Sequence, residues 1–292
     1  MERWIEKFTK LNSYIPGVLP WSFSKLQLGI QCPGKFKWQY LSKAEDRDKD
    51  LALKVPHGVP SKVHDTTGKV IGQFLHTVLE ECVLKGRMYG WSKEIIDFDL
   101  VWHQTQERKR MTLREYNIAQ EHRSTTEALL GKLIATSARR RLDLLPEANF
   151  CMTLNGQMQG GVRQDNRLVS GKIDLMASNE STGECVIIDY KSYREGAYDE
   201  SENVISQLGF YAYYIMKWRM WVQEAKLVGA YIPTGTIKPY KTITNSSFGE
   251  IEDRVDALYA ANYKMLTNGE FPFTKNDFCK FCELEGRCRP QR

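Results

Sequence analysis

Apolar residues recur at helical spacing over residues 70–86, VIGQFLHTVLEECVLKG, where Ile71, Leu75, Val78, Leu79 and Val83 share one side of an amphipathic helix that also carries His76. Upstream, residues 21–41 open on Ser22 and Ser24, whose hydroxyls can accept from the free N–H groups of a first helical turn. The stretch runs apolar-periodic to about Ile30 and breaks at Cys32-Pro33-Gly34 before a second, aromatic helix. Residues 45–69 are charged, then rich in Pro, Gly and Thr, and predict a long surface loop. From about 92 to 145 the pattern is helical and highly charged, an inserted helical subdomain. The period then changes to two. Strands are expected at 148–155, 168–177 and 184–191, the last two joined by the turn-rich Asn179-Glu180-Ser181-Thr182-Gly183. The run Cys185-Val186-Ile187-Ile188-Asp189 is apolar on both faces, as in a strand with neighbours on either side. A helix at about 200–224, a strand at 226–232 and a helix at 248–268 follow. The expected core is thus β-β-β-α-β, α/β in class, within a single domain over 1–292: N-terminal helices at 1–90, the insert at 91–146, the core at 147–232 and a C-terminal segment at 233–292.

Composition adds boundaries. A chain of 292 residues, 42% hydrophobic and 26% charged, is an ordinary globular protein. It contains no apolar run long enough to span a bilayer, and MERWIEKFTK is not a secretory signal, so the expected location is cytoplasmic, or at the nucleoid, without a membrane partner. In a reducing compartment, seven cysteines with a C-x2-C near the C-terminus point to metal or cluster ligation rather than disulfides. The net charge of +5 is weak evidence for a nucleic-acid partner. Two local clusters, Arg108-Lys109-Arg110 and Arg139-Arg140-Arg141, either line a phosphate-binding groove or form a solvated helix face.

The candidate chemistry lies in G-K-I-D at 171–174 and I-D-Y-K at 188–191. A two-residue step along a strand keeps side chains on one face, so Asp189 and Lys191 can address one phosphate, with Asp174 on the neighbouring strand. Phosphodiester cleavage needs a divalent cation on hard oxygens, an activated water and a positive charge on the developing phosphorane. Asp174, Asp189 and the Tyr190 carbonyl can supply the first, and Lys191 serves the water or the phosphate. The plainer reading makes Asp174 a strand-end residue and Asp189/Lys191 a surface ion pair. A charged pair ending a strand as apolar as Val186-Ile187-Ile188 is costly unless it serves a site. Cys32, Cys279, Cys282 and Cys288 admit two readings, a structural Zn²⁺ site or a 4Fe-4S cluster, since both take four thiolates. Cys82, Cys151 and Cys185 lie on apolar faces and read as buried small hydrophobes.

The series G-x-I-D, apolar strand ending D-x-K, then Gln207-x3-Tyr211 resembles the PD-(D/E)XK nuclease superfamily, and specifically its RecB-like branch, which includes the AddB nuclease and the CRISPR-adaptation nucleases. Gly72-Gln73-Phe74-Leu75-His76 is similar to that branch's G-x3-H helix, Ser22-Phe23-Ser24 through Cys32-Pro33 to its S-x-S-x-L…C-P opening, and Cys279-x2-Cys282-x5-Cys288 to its C-terminal cluster motif. The resemblance implies a restriction-endonuclease-like core, a mixed sheet flanked by helices, in a metal-dependent DNA nuclease, an exonuclease on single-stranded DNA or duplex ends. In it His76 joins Asp174 and Asp189 as a ligand of Mg²⁺ or Mn²⁺, and Gln207 and Tyr211 contact DNA near the scissile phosphate. The four cysteines hold a 4Fe-4S cluster that clamps the N-terminal helix junction to the C-terminal tail. Glu147 is the acidic residue nearest the first core strand. No Walker loop is present, so unwinding would fall to a helicase or another subunit. Repair, recombination, phage replication, CRISPR adaptation and antiviral defence all fit. The other class of reading is a catalytically silent DNA-binding or scaffolding subunit, which the intact Asp174, Asp189, Lys191 and His76 oppose.

Overall fold

A computed structural model describes residues 2–15, 19–42, 67–92, 95–153, 157–160, 167–193, 201–276, 279, 282 and 284. Most of the expected loop at 45–69, and Cys288, lie outside the described residues. The chain forms two compact units: Thr66–Phe150 with Lys172–Ile251, and Met1–Asp65 with Cys151–Gly171 and Glu252–Arg292.

The first of these carries most of the residues of a sheet. Strands β1 (Asp143–Thr153), β2 (Met158–Gly160), β3 (Arg167–Asn179), β4 (Glu184–Lys191), β5 (Glu224–Tyr231) and β6 (Thr236–Thr244) run in the order β2-β1-β3-β4-β5-β6. β3 pairs antiparallel with β4, β4 parallel with β5, and β5 antiparallel with β6, a mixed sheet. β4 keeps the bounds expected for it, and Cys185 to Tyr190 are all buried, as its two-sided apolar sequence requires. The tight β3–β4 connection closes on the Asn179 carboxamide, whose oxygen accepts from the Ser181 N–H at 3.0 Å, and on Gly183 in the left-handed region at φ 71.

One face of the sheet packs against helices. α4 (Thr67–Tyr89), α5 (Phe98–Lys109), α6 (Leu113–Gln120) and α7 (Arg123–Arg140) follow N-terminal helices that belong to the other unit. Ile71, Leu75, Val78, Leu79 and Val83 of α4 form the stripe expected, with Phe74 and Cys82 beside them, joined by Trp102, Leu129, Leu133, Leu175, Val186, Ile188 and Tyr190 in one core. On the other face α8 (Ser201–Trp218) contacts β4, β5 and β6. There Phe210, Tyr213 and Tyr214 are buried, so this aromatic stripe is core. The β4-α8-β5 crossover is the connection a parallel pair requires.

Some boundaries, and one strand, differ from expectation in ways that have a physical reason. β1 starts at Asp143 rather than 148, because it runs through Pro146 and a left-handed Glu147 at φ 51, features that read as a strand breaker. α8 stops at Trp218 rather than near 224, since the chain turns into β5 at Glu224. β6 was not expected: it carries Pro239 and its side chains are mostly exposed or half-buried, the properties of an edge strand.

The second unit has an aromatic core. α1 (Glu2–Tyr14), α2 (Phe23–Gln31), α3 (Pro33–Phe36) and α9 (Phe248–Asn268) bring Trp4, Phe8, Trp21, Phe36 and Tyr259 together, with Phe8 edge-on to Trp21 at 5.1 Å between ring centroids. Ser22 caps α2 as expected, its hydroxyl accepting from the Lys25 N–H at 3.3 Å. Gly29 of α2 gives α9 close access. The buried Asn262 donates to the Leu26 and Leu258 carbonyls at 2.9 Å each, and a Cβ on Gly29 would meet its oxygen at 2.0 Å. Among the described residues no helix is long and apolar enough to cross a membrane.

Candidate active site

The chemistry-bearing side chains converge where β3 and β4 part. Their ladder runs from Asn179 opposite Glu184 to Leu175 opposite Ile188, and at the next position Asp174 Oδ2 accepts the Tyr190 N–H at 2.8 Å. A carboxylate that takes a strand donor is held in place by the sheet itself. His76 Nδ1 lies 3.5 Å from the same Oδ2, and its ring stands edge-on to Tyr190 at 5.5 Å. One turn earlier, Gly72 explains how α4 comes so close to the end of β4. A Cβ there would fall 2.8 Å from Ser192 Oγ and 3.3 Å from Ser192 Cβ, so the glycine of G-x3-H clears room for the residue after Lys191.

Asp189 is 9% exposed. Its Oδ2 is in close ion-pair contact with the Lys191 ammonium. Burial pushes the Asp189 carboxyl above the usual carboxylate range, the Lys191 charge draws it back, and Asp174 pushes it up again. Across the site, Gln207 Nε2 donates to the Tyr211 hydroxyl at 3.2 Å, one turn apart on α8. Burial first, and then the Asp189 and Asp174 charges, push that hydroxyl up to about 12, while the Gln207 hydrogen bond opposes the rise. Asp174, Asp189, Lys191, His76, Gln207 and Tyr211 therefore occupy one neighbourhood, and Tyr190 supplies backbone to it.

Two charged residues extend the site beyond those expected. Glu80 lies one turn past His76 on α4, and Lys172 two residues before Asp174 on β3, so each continues the same face. Burial raises the Glu80 carboxyl, with the Lys172 charge as the main opposing influence, and Lys172 is ion-paired with Glu147. The helix and strand periods contain that signal. The basic clusters are partly accounted for otherwise: Arg108 pairs with Glu81 and Arg140 with Glu184, while Arg110 and Arg141 terminate α5 and α7 in the left-handed conformation.

Two carboxylates and an imidazole make a donor set that suits Mg²⁺ or Mn²⁺, and the charge of Asp174 acting on the buried Asp189 carboxylate is a like-charge repulsion that a cation would relieve. Among the described residues no three His, Cys, Asp or Glu side chains are already grouped as a metal site. The positive charge beside Asp189 is the Lys191 ammonium.

In the other unit, Cys32, Cys279 and Cys282 line one small cavity of about 60 Å³ together with Leu28, Gln31, Lys35 and Asn276. The junction at Cys32 ends α2 and begins α3. Asn276 ties the tail to it, donating from its side chain to the Gln31 carbonyl at 2.9 Å and from its backbone to Cys279 Sγ at 3.3 Å. Cys82 and Cys185 are buried in the sheet unit, with thiols that burial pushes up to about 12, and Cys151 is buried too.

The sequence model of the PD-(D/E)XK nuclease superfamily matches residues 20–289. The chain belongs to this superfamily, and its mixed sheet flanked by helices is the restriction-endonuclease-like fold. Such proteins are metal-dependent nucleases that use divalent ions such as Mg²⁺ or Mn²⁺. No curated protein matches the sequence.

Proposed function

We propose that the chain is a divalent-metal-dependent deoxyribonuclease that works from the ends of single-stranded or duplex DNA. The supporting observation is the pairing of Asp174, held by the Tyr190 N–H, with Asp189, buried against Lys191. Asp174, Asp189 and His76, with the Tyr190 carbonyl, are the groups that would hold Mg²⁺ or Mn²⁺. The ion supplies charge neutralisation and a more acidic bound water. Lys191, 12% exposed in its side chain, brings a fixed positive charge to the scissile phosphate or orients the attacking water. Gln207 and Tyr211 position the strand from α8. Glu80 and Glu147 hold Lys172 beside this line, where it can take a neighbouring phosphate.

Cys32, Cys279, Cys282 and Cys288 bind a 4Fe-4S cluster in this reading. It is supported by the shared cavity of the first three and by the N–H donated to Cys279 Sγ. The cluster staples helix junction to tail within a single nuclease domain, as in the RecB-like branch, and a helicase or another subunit supplies unwinding. The silent-subunit alternative lacks support, because no catalytic residue has been replaced. End-labelled and circular, single- and double-stranded DNA incubated with Mg²⁺ or Mn²⁺ tests the proposal: cleavage of linear but not circular substrates, abolished by EDTA, is expected. Activity that persists in EDTA, or none on any DNA, overturns it.

A further inference from the structure

Beside the catalytic lysine stands a set of tyrosines that the motif series does not use. The Lys191 ammonium lies 5.9 Å from the centre of the half-buried Tyr193 ring. Tyr193 in turn meets Tyr231 edge-on, at 6.3 Å and 70°. Tyr231 is 1% exposed, and its hydroxyl is hydrogen-bonded to that of Tyr240 on β6. The rings have been given room. Gly229, opposite Asp189 in the β4–β5 ladder, bears no side chain where a Cβ would fall 2.8 Å from Tyr240 Cε2 and 3.3 Å from Tyr231 Cε2. A bare position in a buried strand, filled by two rings joined through their hydroxyls, gives Tyr193 a rigid backing.

Resting on the nuclease reading above, we infer that Tyr193 is a stacking platform for the nucleobase next to the scissile phosphate, and that the substrate at this point is single-stranded DNA. A phosphate held by Lys191 brings an attached nucleotide within reach of the adjacent ring. A base inside a duplex has its faces covered by its neighbours, whereas a frayed or single-stranded end presents a free face, and base-on-aromatic stacking tolerates any sequence. The backing of Tyr231 and Tyr240 fixes the ring in advance, so little freedom is lost on binding.

Single-stranded oligodeoxynucleotides with 2-aminopurine at each position in turn, mixed with the protein in EDTA, test this without cleavage. Wild type and the Tyr193→Phe and Tyr193→Trp variants quench the fluorescence at one position. Tyr193→Ala does not, and binds about tenfold more weakly. An abasic site at that position makes wild type and Tyr193→Ala equal. In the cleavage assay Tyr193→Ala raises KM with little change in kcat. No quenching by the wild type, or equal quenching by Tyr193→Ala, overturns the platform. So does a fall in kcat at unchanged KM that the abasic substrate shares, since the ring would then serve Lys191 and not the DNA. Quenching that depends on Tyr193 in a protein that cuts no DNA with either metal leaves the platform standing and overturns the nuclease.

Discussion

Removing one partner of the Asp189–Lys191 pair should cost more stability than removing both. The two side chains are each 12% exposed, and Asp174 adds a second negative charge close by. In metal-free protein, Lys191→Met strips a buried carboxylate of its counter-charge. Breaking such a pair costs about 3–5 kcal/mol. Asp189 can escape part of this by taking a proton, a step its burial already favours, so a loss of about 3 kcal/mol is expected. Asp189→Asn leaves an ammonium that can turn toward Asp174, and should cost about 1–2 kcal/mol. The double variant leaves no buried charge at either position and should cost no more than about 1 kcal/mol, a coupling of about 3–5 kcal/mol. Urea unfolding in EDTA, followed by circular dichroism, measures all four corners of the cycle. Single losses that simply add in the double variant would falsify the account of a desolvated pair. None of the three variants should cut DNA.

Other consequences follow from single positions. Gly29→Ala drives a methyl into the Asn262 oxygen and should cost about 1–3 kcal/mol in chemical denaturation; a neutral result means the α2–α9 approach is wrong. Arg110→Gly and Arg141→Gly relieve left-handed backbone at φ 51 and 55 and should each gain about 0.5–1 kcal/mol, whereas a loss would mean the arginine side chains matter more than the backbone. The Lys25 amine, 5% exposed, is drawn by burial from 10.5 to about 8. The unfolded chain therefore binds more protons across that interval, so stability should climb by about 2–3 kcal/mol as pH rises from 8 to 10.5. In Lys25→Met that climb should be absent when the two pH series are compared. Cys32→Ala should lose iron and visible absorbance while Cys82→Ala keeps both, measured on anaerobically purified protein; one zinc per chain without iron would decide for a zinc site.

The legible parts of this chain are those where a local rule and the tertiary structure agree. β4 was readable to the residue because six consecutive buried positions leave no polar alternation to misplace. Likewise α2 was bounded by Ser22 and the Cys32-Pro33 break, and α9 by its own period. The superfamily followed from motif residues that lie on β3, β4, α4 and α8. β1 was cut short because Pro146 and Glu147 signal a breaker, while the sheet absorbs them as an irregularity within the strand. β6 escaped because an edge strand buries too little to show a pattern. At the site, Asp174, Asp189, Lys191 and His76 were visible as motif members, but Glu80 and Lys172 were not, although each sits one period from a residue already chosen. Tyr193 had no signal at all: its meaning lies in Tyr231, Tyr240 and Gly229, which only the β4–β5–β6 pairing brings beside it.

The most direct test of the central claim is the rate at which wild type and Asp189→Asn cut a 5′-labelled single-stranded oligodeoxynucleotide over a titration of Mn²⁺. A cleavage centre built on Asp174, Asp189, His76 and Lys191 predicts no cutting without metal, a saturable rise with Mn²⁺ in the wild type, and a loss of about 10³-fold or more in the variant at every concentration. A variant that keeps its fold and cuts at the wild-type rate would contradict the account.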